Sequence, residues 1–210
     1  MLKGIGAGVV FLLVGNLAIL AASLWARHTT TAAAPAAPIA GVDNLRAVDA
    51  RVWRGAAPTV EGYRGLAEAG IRTVVDLRAE EGIEHDAQVV DELGMKLVRI
   101  PIRDGQTPTS AEVDEFLAAV RASDGTVFVH CGAGVGRTGA MVGAYQVAVG
   151  ELDRSAALRN NLAVGPPSLE QIAFVARMDI DDGQVEKPGR VVTAVSRVLD
   201  APRRAWSRWG

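Results

Sequence analysis

The hydrophobic pattern of the chain begins with an apolar run near the N-terminus. Residues 4–26 contain no charged side chain, and the apolar stretch at residues 5–25 is about 21 residues, or roughly 30 Å of helix, long enough to cross a bilayer. Lys3 lies before this run, and Arg27 follows it. A cleavable signal peptide usually has a shorter apolar region. We therefore favour an uncleaved single-pass membrane anchor, and the short N-terminal tail favours a globular part outside the cytoplasm.

Threonine, alanine and proline form an uncharged stretch after this run, which is typical of a semi-extended linker. Strand-like and helix-like segments then alternate up to about residue 180, and a basic segment follows them. The sequence therefore predicts four parts. They are an anchor or signal segment at 1–27, a linker at 28–40, a globular domain at 41–182 and a basic amphipathic tail at 183–210.

Within the globular part, short apolar runs alternate with segments of helical period. The predicted strands are residues 71–77, 95–102 and 126–130, and Pro101 is expected to end the second of them. The predicted helices are residues 59–70, 80–94, 109–122, 138–149, 153–162 and 168–179. This alternation predicts an α/β fold with a central, mainly parallel sheet flanked by helices. Ligands of such sheets bind at the carboxyl ends of the strands.

Composition and charge narrow the function classes. A formal net charge of −2 argues against a general nucleic-acid binder, and a single cysteine excludes an internal disulfide framework and a cysteine-rich metal site. Acidic residues are in excess in the domain and basic ones in the tail. From Val191 to Trp209 the tail carries apolar residues at helical spacing together with arginines. This pattern fits either a helix packed on the domain or an interfacial helix on anionic lipid.

A glycine-rich segment follows the third predicted strand and opens the next helix. It reads HCGAGVGRTG at residues 130–139. The glycines let successive N–H groups point inward, and the positive end of the helix faces the same space, which makes a cradle for a tetrahedral oxyanion and stabilises a thiolate at Cys131. Arg137 can return to the cradle and hold two phosphate oxygens with its planar fork. Together these groups predict attack on phosphorus through a cysteinyl-phosphate intermediate.

The same segment resembles the signature H-C-x-x-G-x-x-R-[S/T] of the cysteine-dependent protein tyrosine phosphatase superfamily. Three other segments resemble the compact dual-specificity branch of that superfamily. They are VWRGAAP at 52–58, GIRTVVDLR at 70–78 and IPIRD at 100–104. The resemblance covers about residues 41–180 and implies the phosphatase-like α/β fold of that branch.

The resemblance also implies a role for individual residues. Cys131 is expected to be the nucleophile, and Arg137 is expected to bind phosphate and stabilise the transition state. Asp104 is expected to protonate the leaving oxygen and then to act as base for the attacking water. Thr138 is expected to assist the thiolate, and His130 to orient the loop. The backbone N–H groups expected to hold phosphate are those of Gly132, Ala133, Gly134, Val135, Gly136 and Arg137.

Two alternatives to these assignments remain open. Asp104 precedes a glycine and could simply form a turn, in which case Asp76 or Asp86 would supply the acid. A Gly-x-Gly-x-x-Gly spacing starting at Gly134 also occurs in dinucleotide-binding loops, but the acidic residue expected about 20 positions later at the end of a strand is missing.

The predicted function is phosphomonoester hydrolysis, with protein phosphotyrosine, phosphoserine and phosphothreonine as the favoured substrates. The cradle has no lysine, which phosphoinositide-directed relatives often have. An inositol-phosphate or other small-molecule phosphatase is the alternative, and a catalytically weak phosphate-binding module is the third interpretation. We expect no metal or other cofactor and no nucleic-acid partner. A membrane is expected to contact the N-terminal helix and, in one of the two interpretations, the tail.

Overall fold

The structure, a computed structural model, describes residues 2–30, 38–80, 84–178 and 185–202. The helices are α1 (Leu2–Thr29), α2 (Val60–Glu68), α3 (Glu84–Glu92), α4 (Ser110–Ala122), α5 (Gly136–Ala148), α6 (Arg154–Val164), α7 (Leu169–Arg177) and α8 (Arg190–Leu199). The strands are β1 (Arg46–Ala47), β2 (Val52–Ala56), β3 (Ile71–Arg78), β4 (Lys96–Ile102) and β5 (Thr126–Cys131). Most of the predicted linker lies outside the described residues. So do residue 179, at the end of the predicted helix at 168–179, and Trp209 of the predicted tail.

One five-stranded sheet, in the order β1-β2-β5-β3-β4, organises the domain. The pairings of β2 with β5, β5 with β3 and β3 with β4 are parallel, whereas β1 pairs antiparallel with β2. The predicted α/β sheet flanked by helices is confirmed, but the sheet is mixed. The antiparallel strand has only two residues, and a run this short has no alternation by which a sequence pattern could reveal it.

Two element boundaries differ from the predictions. Glu80 of the predicted helix at 80–94 is not helical and lies in the loop after β3, and the described part of that helix is Glu84–Glu92. Pro101, which was expected to end a strand, lies inside β4. Because β4 is an edge strand of the sheet, Pro101 can occupy it without removing a ladder hydrogen bond to a further strand.

Side-chain caps fix where several helices begin. Thr59 accepts a hydrogen bond from the N–H of Gly62 at the start of α2. Thr109 and Glu112 form the predicted capping box at the start of α4, each side chain accepting from the backbone N–H of the other. Ser168 forms a second capping box at the start of α7. These caps place the loops that precede α4 and α7 beside the end of β5.

Apolar side chains cover both faces of the sheet. Val127 and Val129 of β5 point to one face, where Phe116 of α4 and Met141 of α5 pack against them. Phe128 points to the other face, in the cluster formed with α2 and α3. Because β5 is buried on both sides, its sequence is a continuous apolar run. That run positions the carboxyl end of β5 rigidly, and the glycine-rich segment begins there.

The C-terminal half of α1 packs against α6. Ser23 Oγ donates to the carbonyl oxygen of Leu162 at 2.7 Å, and Arg27 Nη2 donates to that of Val164 at 2.9 Å. Residues 8–29 nevertheless form one helix that is long and apolar enough to cross a membrane by length and composition. Its large apolar side chains are exposed at Val9, Val10, Phe11, Leu13, Val14, Leu17, Leu20, Leu24 and Trp25.

α8, at the start of the predicted tail, lies between α1 and α7. Asn16 of α1 donates to the carbonyl oxygen of Leu199 at 3.2 Å, and Ser196 Oγ accepts from the N–H of Glu170 at 3.0 Å. The described part of the tail is therefore a helix packed on the domain. Its apolar residues Val191 and Val198 remain exposed.

Candidate active site

The predicted phosphate loop connects β5 to α5. Cys131 is the last residue of β5, and α5 begins at Gly136. β5 is an inner strand with β2 and β3 on its two sides, so the segments that follow β2 and β3 meet the loop at the same edge of the sheet. The loop therefore lies at the carboxyl ends of parallel strands, where the α/β pattern places ligands.

Two positions of the segment are specific for glycine: Gly134 in the loop because of its backbone conformation, and Gly139 in the first turn of α5 because of a close neighbour. Gly134 has φ +70°, and a Cβ built there would lie 2.3 Å from the carbonyl oxygen of Gly55. Gly139 allows the amide of Asn161 to approach, since a Cβ would lie 1.7 Å from Asn161 Oδ1. An alanine at either position would force the loop or the first turn of α5 away from its neighbours.

Three neighbouring groups hold the loop from outside. The N–H of Ala57 donates to the carbonyl of Gly132 at 2.9 Å. Asn44 Nδ2 donates to the carbonyl of Ala133 at 2.9 Å. Arg54 Nη2 donates to the carbonyl of Gly134 at 2.8 Å. These bonds occupy carbonyl groups of the loop and leave N–H groups available for an oxyanion.

The loop forms the floor of a cavity of about 630 Å³, which is in the usual size range of small-molecule sites. Cys131 and Arg137 lie at this floor, and Asp104 lies in the wall. The cavity is lined by Ala79, Glu80, Arg103, Asp104, Gly105, Cys131, Gly132, Ala133, Val135, Gly136, Arg137, Ser168, Gln171 and Asp200. The structure thus brings the predicted nucleophile, the predicted phosphate-binding arginine and the predicted acid into one cavity.

Arg137 is buried and already oriented by acceptors. Its Nη1 donates to Glu80 Oε2 at 2.7 Å and to the carbonyl oxygen of Ile102 at 3.1 Å. Its Nη2 lies 3.6 Å from Asp104 Oδ1. Burial acts to lower the pKa of Arg137, but the hydrogen bond to Glu80 and the charges of Cys131, Glu80 and Asp104 outweigh it, and the pKa is raised. The guanidinium therefore stays charged in the cavity.

Glu80 is a site residue that the sequence analysis missed, because the pattern placed it inside a helix. Burial acts to raise its pKa, but the hydrogen bond and charge of Arg137 lower it below the ordinary value. Its carboxylate is about half exposed. Its position could have indicated a place in the site: Glu80 follows β3 by two residues, and β3 lies beside the strand that carries Cys131.

Asp104 lies at the mouth of the cavity, in the loop after β4. Its side chain is 55% exposed and approaches only Arg137 among the ion pairs of the described residues. A carboxyl in this position can reach the leaving oxygen of a phosphate that is bound on the loop. The reserve residues Asp76 and Asp86 do not line the cavity. Both form ion pairs with Arg78 instead, so the placement favours Asp104 as the acid.

His130 lies beneath the loop and is fully buried. Its ring stacks on Phe128 with centroids 5.6 Å apart, and Nδ1 lies 3.3 Å from the carbonyl oxygen of Cys131. Asp76 Oδ1 is 3.9 Å from Nδ1. Burial lowers the pKa of His130 to about 4, although the charge of Asp76 opposes this. The ring is therefore neutral near pH 7 and contacts the residue at which the loop begins. Its role in orienting the loop stays a prediction.

Thr138 is in the first turn of α5 and is fully buried. Its hydroxyl has no hydrogen-bond partner among the described residues. The expected bond from this hydroxyl to the sulfur of Cys131 is thus not formed in the structure. A buried hydroxyl without a partner beside the loop is still a donor that a thiolate could use.

Comparison with known proteins places this site in a family. Residues 39–177 match the family described as "DSP-PTPase phosphatase fused to NAD+ Kinase". The chain is 35% identical over 100 residues to NAD kinase 2, chloroplastic, of Arabidopsis thaliana, a match that covers 45% of this chain and 10% of the relative. It is 38% identical over 61 residues to human dual specificity protein phosphatase CDC14C, covering 29% of this chain and 14% of the relative. The match thus spans between a tenth and a seventh of the length of these curated relatives.

Solved structures share the fold. The catalytic domain of PP-IP phosphatase SIW14 from S. cerevisiae superposes with a TM-score of 0.59 at 18% identity, covering 70% of this chain and 91% of that one. TpbA of P. aeruginosa gives a TM-score of 0.51 at 24% identity, covering 85% and 98%. The match over residues 39–177 includes the loop, Arg137 and Asp104. The chain therefore belongs to the family of DSP-PTPase phosphatase domains known from fusions with NAD+ kinase, within the cysteine-dependent protein tyrosine phosphatase superfamily.

Proposed function

We propose that this domain hydrolyses phosphomonoesters in two steps at Cys131. In the first step the thiolate attacks phosphorus, the P–O ester bond breaks, and the leaving oxygen takes a proton from Asp104. In the second step water gives a proton to Asp104 and attacks the cysteinyl phosphate, which releases inorganic phosphate and restores the thiolate. Arg137 and the loop N–H groups hold the phosphoryl oxygens in both steps.

The observation that supports this proposal is that the groups needed for the reaction meet at the floor of one cavity. Cys131 and the oriented guanidinium of Arg137 share it with the N–H groups of the loop, and Asp104 approaches from the wall. These residues come from the ends of two different strands and from the first turn of α5. A thiol with only a structural role requires neither a charged, buried arginine nor a carboxyl at the mouth.

The charges around the cavity favour a phosphorylated protein over a polyanionic substrate. The lining carries the carboxylates Glu80, Asp104 and Asp200 and the cations Arg103 and Arg137. A single phosphate can be held by Arg137 and the loop, whereas further phosphates would meet carboxylates at short range. A structure of TpbA from P. aeruginosa holds pTyr, and SIW14 is a PP-IP phosphatase. We favour phosphotyrosine, with phosphoserine and phosphothreonine also accepted.

The test is turnover of para-nitrophenyl phosphate and of a phosphotyrosine peptide by the full chain, with EDTA present. We expect Cys131→Ser to lose activity on both substrates, and Asp104→Asn to lose far more on the peptide because its leaving group is the poorer one. Asp114→Asn, on the exposed side of α4, is the matched control and should behave as wild type. A folded, reduced wild-type protein without turnover on either substrate contradicts the proposal. Inositol phosphates are then the next substrates to measure.

We also propose that α1 anchors the domain to a membrane as a single-pass helix. Its exposed apolar side chains and its length support this. The bonds of Asn16 and Ser23 to α8 and α6 fall within the segment that would cross the bilayer. Full insertion therefore requires α1 to leave those helices, and the domain can then lie on either side of the membrane.

Extraction of isolated membranes with alkaline carbonate tests this anchoring. The wild-type chain should stay in the pellet, and a Leu13→Lys/Leu17→Lys variant should move to the supernatant. A variant without residues 203–210 separates the anchor from the tail, and it should stay in the pellet. Wild-type protein in the carbonate supernatant would overturn the proposal.

A further inference from the structure

A second, smaller cavity lies on the reverse side of the phosphate loop, and we call it the reverse cavity. It has a volume of about 50 Å³. Its polar lining residues are Arg46, Arg54, Gln146 and Asn160, and the rest of its lining is apolar. No carboxylate is among the lining residues. The cavity thus presents two guanidinium groups and two amides to its interior.

The two arginines are forced together by the sheet. Arg46 of β1 and Arg54 of β2 are directly opposite each other in the antiparallel ladder. Side chains at such positions lie on the same face with their Cβ atoms about 5 Å apart, and like charges there destabilise the pair. Within the residues that the structure describes, neither arginine forms an ion pair with a carboxylate. No carboxylate of these residues therefore offsets the repulsion between the two guanidinium groups.

Burial makes this arrangement costly. Arg54 is only 4% exposed, and the Nε atoms of both arginines are buried without a hydrogen-bond partner among the described residues. Burial, and to a smaller extent the charge of Arg46, lower the pKa of Arg54 to about 10, although the charge of Cys131 opposes this. A buried cation without a carboxylate partner is a site that an anion would stabilise.

We propose that the reverse cavity binds one small, doubly charged oxyanion of the size of phosphate or sulfate, held between Arg46 and Arg54. One water needs roughly 10–15 Å³ of cavity volume. The volume of the reverse cavity therefore corresponds to about four water oxygens, which is also the number of oxygens in a tetrahedral oxyanion. Planar guanidinium groups bind such oxygens in pairs. The amide of Asn160 supplies a further donor, whereas the side chain of Gln146 forms a hydrogen bond with Glu151.

The oxyanion would also affect the phosphate loop through Arg54. Arg54 donates to the carbonyl oxygens of Gly134 and Val135, at 2.8 and 3.4 Å. An anion on Arg54 would fix the guanidinium that holds this turn of the phosphate loop. The proposal concerns binding alone and does not depend on the activity proposed for Cys131.

The test measures the midpoint of thermal unfolding in sulfate and compares it with the midpoint in chloride at the same ionic strength. Because the catalytic floor is itself proposed to hold an oxyanion, the background is Arg137→Gln. At ten times the dissociation constant we expect an increase of about 3–5 °C in this background. Adding Arg46→Gln should abolish the increase, and adding Arg64→Gln, an exposed control on α2, should preserve it. No increase in Arg137→Gln, or an equal one with and without Arg46→Gln, overturns the proposal.

A calorimetric titration gives the same answer if Arg137→Gln does not fold. Wild-type protein should bind two sulfate ions, one on each side of the loop, and Arg46→Gln should bind one. Arg46→Lys keeps the charge but lacks the planar fork, so its second site should be weakened rather than lost. An equal number of sites in wild type and Arg46→Gln would refute the reverse cavity as an oxyanion site. A single wild-type site that is lost in Arg46→Gln would support the reverse cavity and would count against sulfate binding at the catalytic floor. Inorganic phosphate in place of sulfate shows whether the reaction product itself binds there.

Discussion

Two buried arginines flank the phosphate loop, and their surroundings differ. Arg137 on the catalytic side and Arg54 on the reverse side are each only 4% exposed. Arg137 has Glu80 and Asp104 as partners, and its pKa is raised. Among the described residues, Arg54 donates hydrogen bonds to carbonyl oxygens and has a second arginine beside it. Burial lowers its pKa to about 10, although the charge of Cys131 opposes this. The two arginines are equally buried, but their pKa values shift in opposite directions because their neighbouring groups differ.

The difference matters for how each arginine can be used. The carboxylate of Glu80 is half exposed, so water can replace it when a phosphate arrives at Arg137. The carbonyl groups that bind Arg54 belong to the loop backbone and move only with it. Arg137 is therefore suited to exchange one anionic partner for another, and Arg54 is suited to hold the loop in place.

Arg137→Lys gives the largest effect expected from this comparison. A lysine keeps the charge but cannot hold two phosphoryl oxygens in one plane, so kcat/KM should fall by about 10²–10³-fold. Steady-state kinetics on para-nitrophenyl phosphate measure this, with Arg121→Lys on the exposed side of α4 as control. A loss below threefold would mean that Arg137 acts only as a charge.

Arg54→Lys should affect mainly stability. A lysine cannot reach the carbonyls of both Gly134 and Val135, and each buried group left unpaired costs about 1–3 kcal/mol. We therefore expect the free energy of unfolding to fall by about that amount, and kcat to fall less than in Arg137→Lys. Denaturant titration and kinetics of the same sample measure both. A variant with wild-type stability and severely reduced kcat would mean that Arg54 takes part in catalysis, which contradicts the structural role given to it.

Glu80→Gln should have the smallest effect. The ion pair with Arg137 is half exposed, so its contribution is below about 1 kcal/mol, and kcat should fall by about threefold as Arg137 loses its orientation. The pKa of Glu80 is lowered, so the contribution is present above the ordinary pKa of this carboxyl and is lost as pH falls through the lowered value.

The stability difference between wild type and Glu80→Gln should therefore vanish in strong acid. Glu92→Gln, on the exposed side of α3, is the control. The bonds of Arg54 have no titratable acceptor, so no such convergence is expected for Arg54→Lys. A difference for Glu80→Gln that persists at all pH values would mean that its effect is not electrostatic.

The sequence predicted the catalytic side better than the reverse side. Cys131 and Arg137 belong to one short segment whose residue types and spacing suffice to indicate the chemistry. Glu80 was placed in a helix, because its contact with Arg137 depends on β3 lying beside β5, which local periodicity does not specify. Arg46 and Arg54 meet through a two-residue strand that has no recognisable pattern. The packing of α1 on α6 uses small and polar residues within an apolar run, which hydropathy alone does not reveal.

Cys131 is the sole cysteine in the 210 residues, which determines how this chain can respond to oxidants. A peroxide would convert the thiolate to a sulfenic acid, with cleavage of the O–O bond and loss of the second oxygen as hydroxide. No second thiol of this chain can then form a disulfide and shield the sulfur from further, irreversible oxidation. Recovery depends on an external thiol such as glutathione that can enter the open cavity. Activity should thus follow the thiol supply of the surroundings.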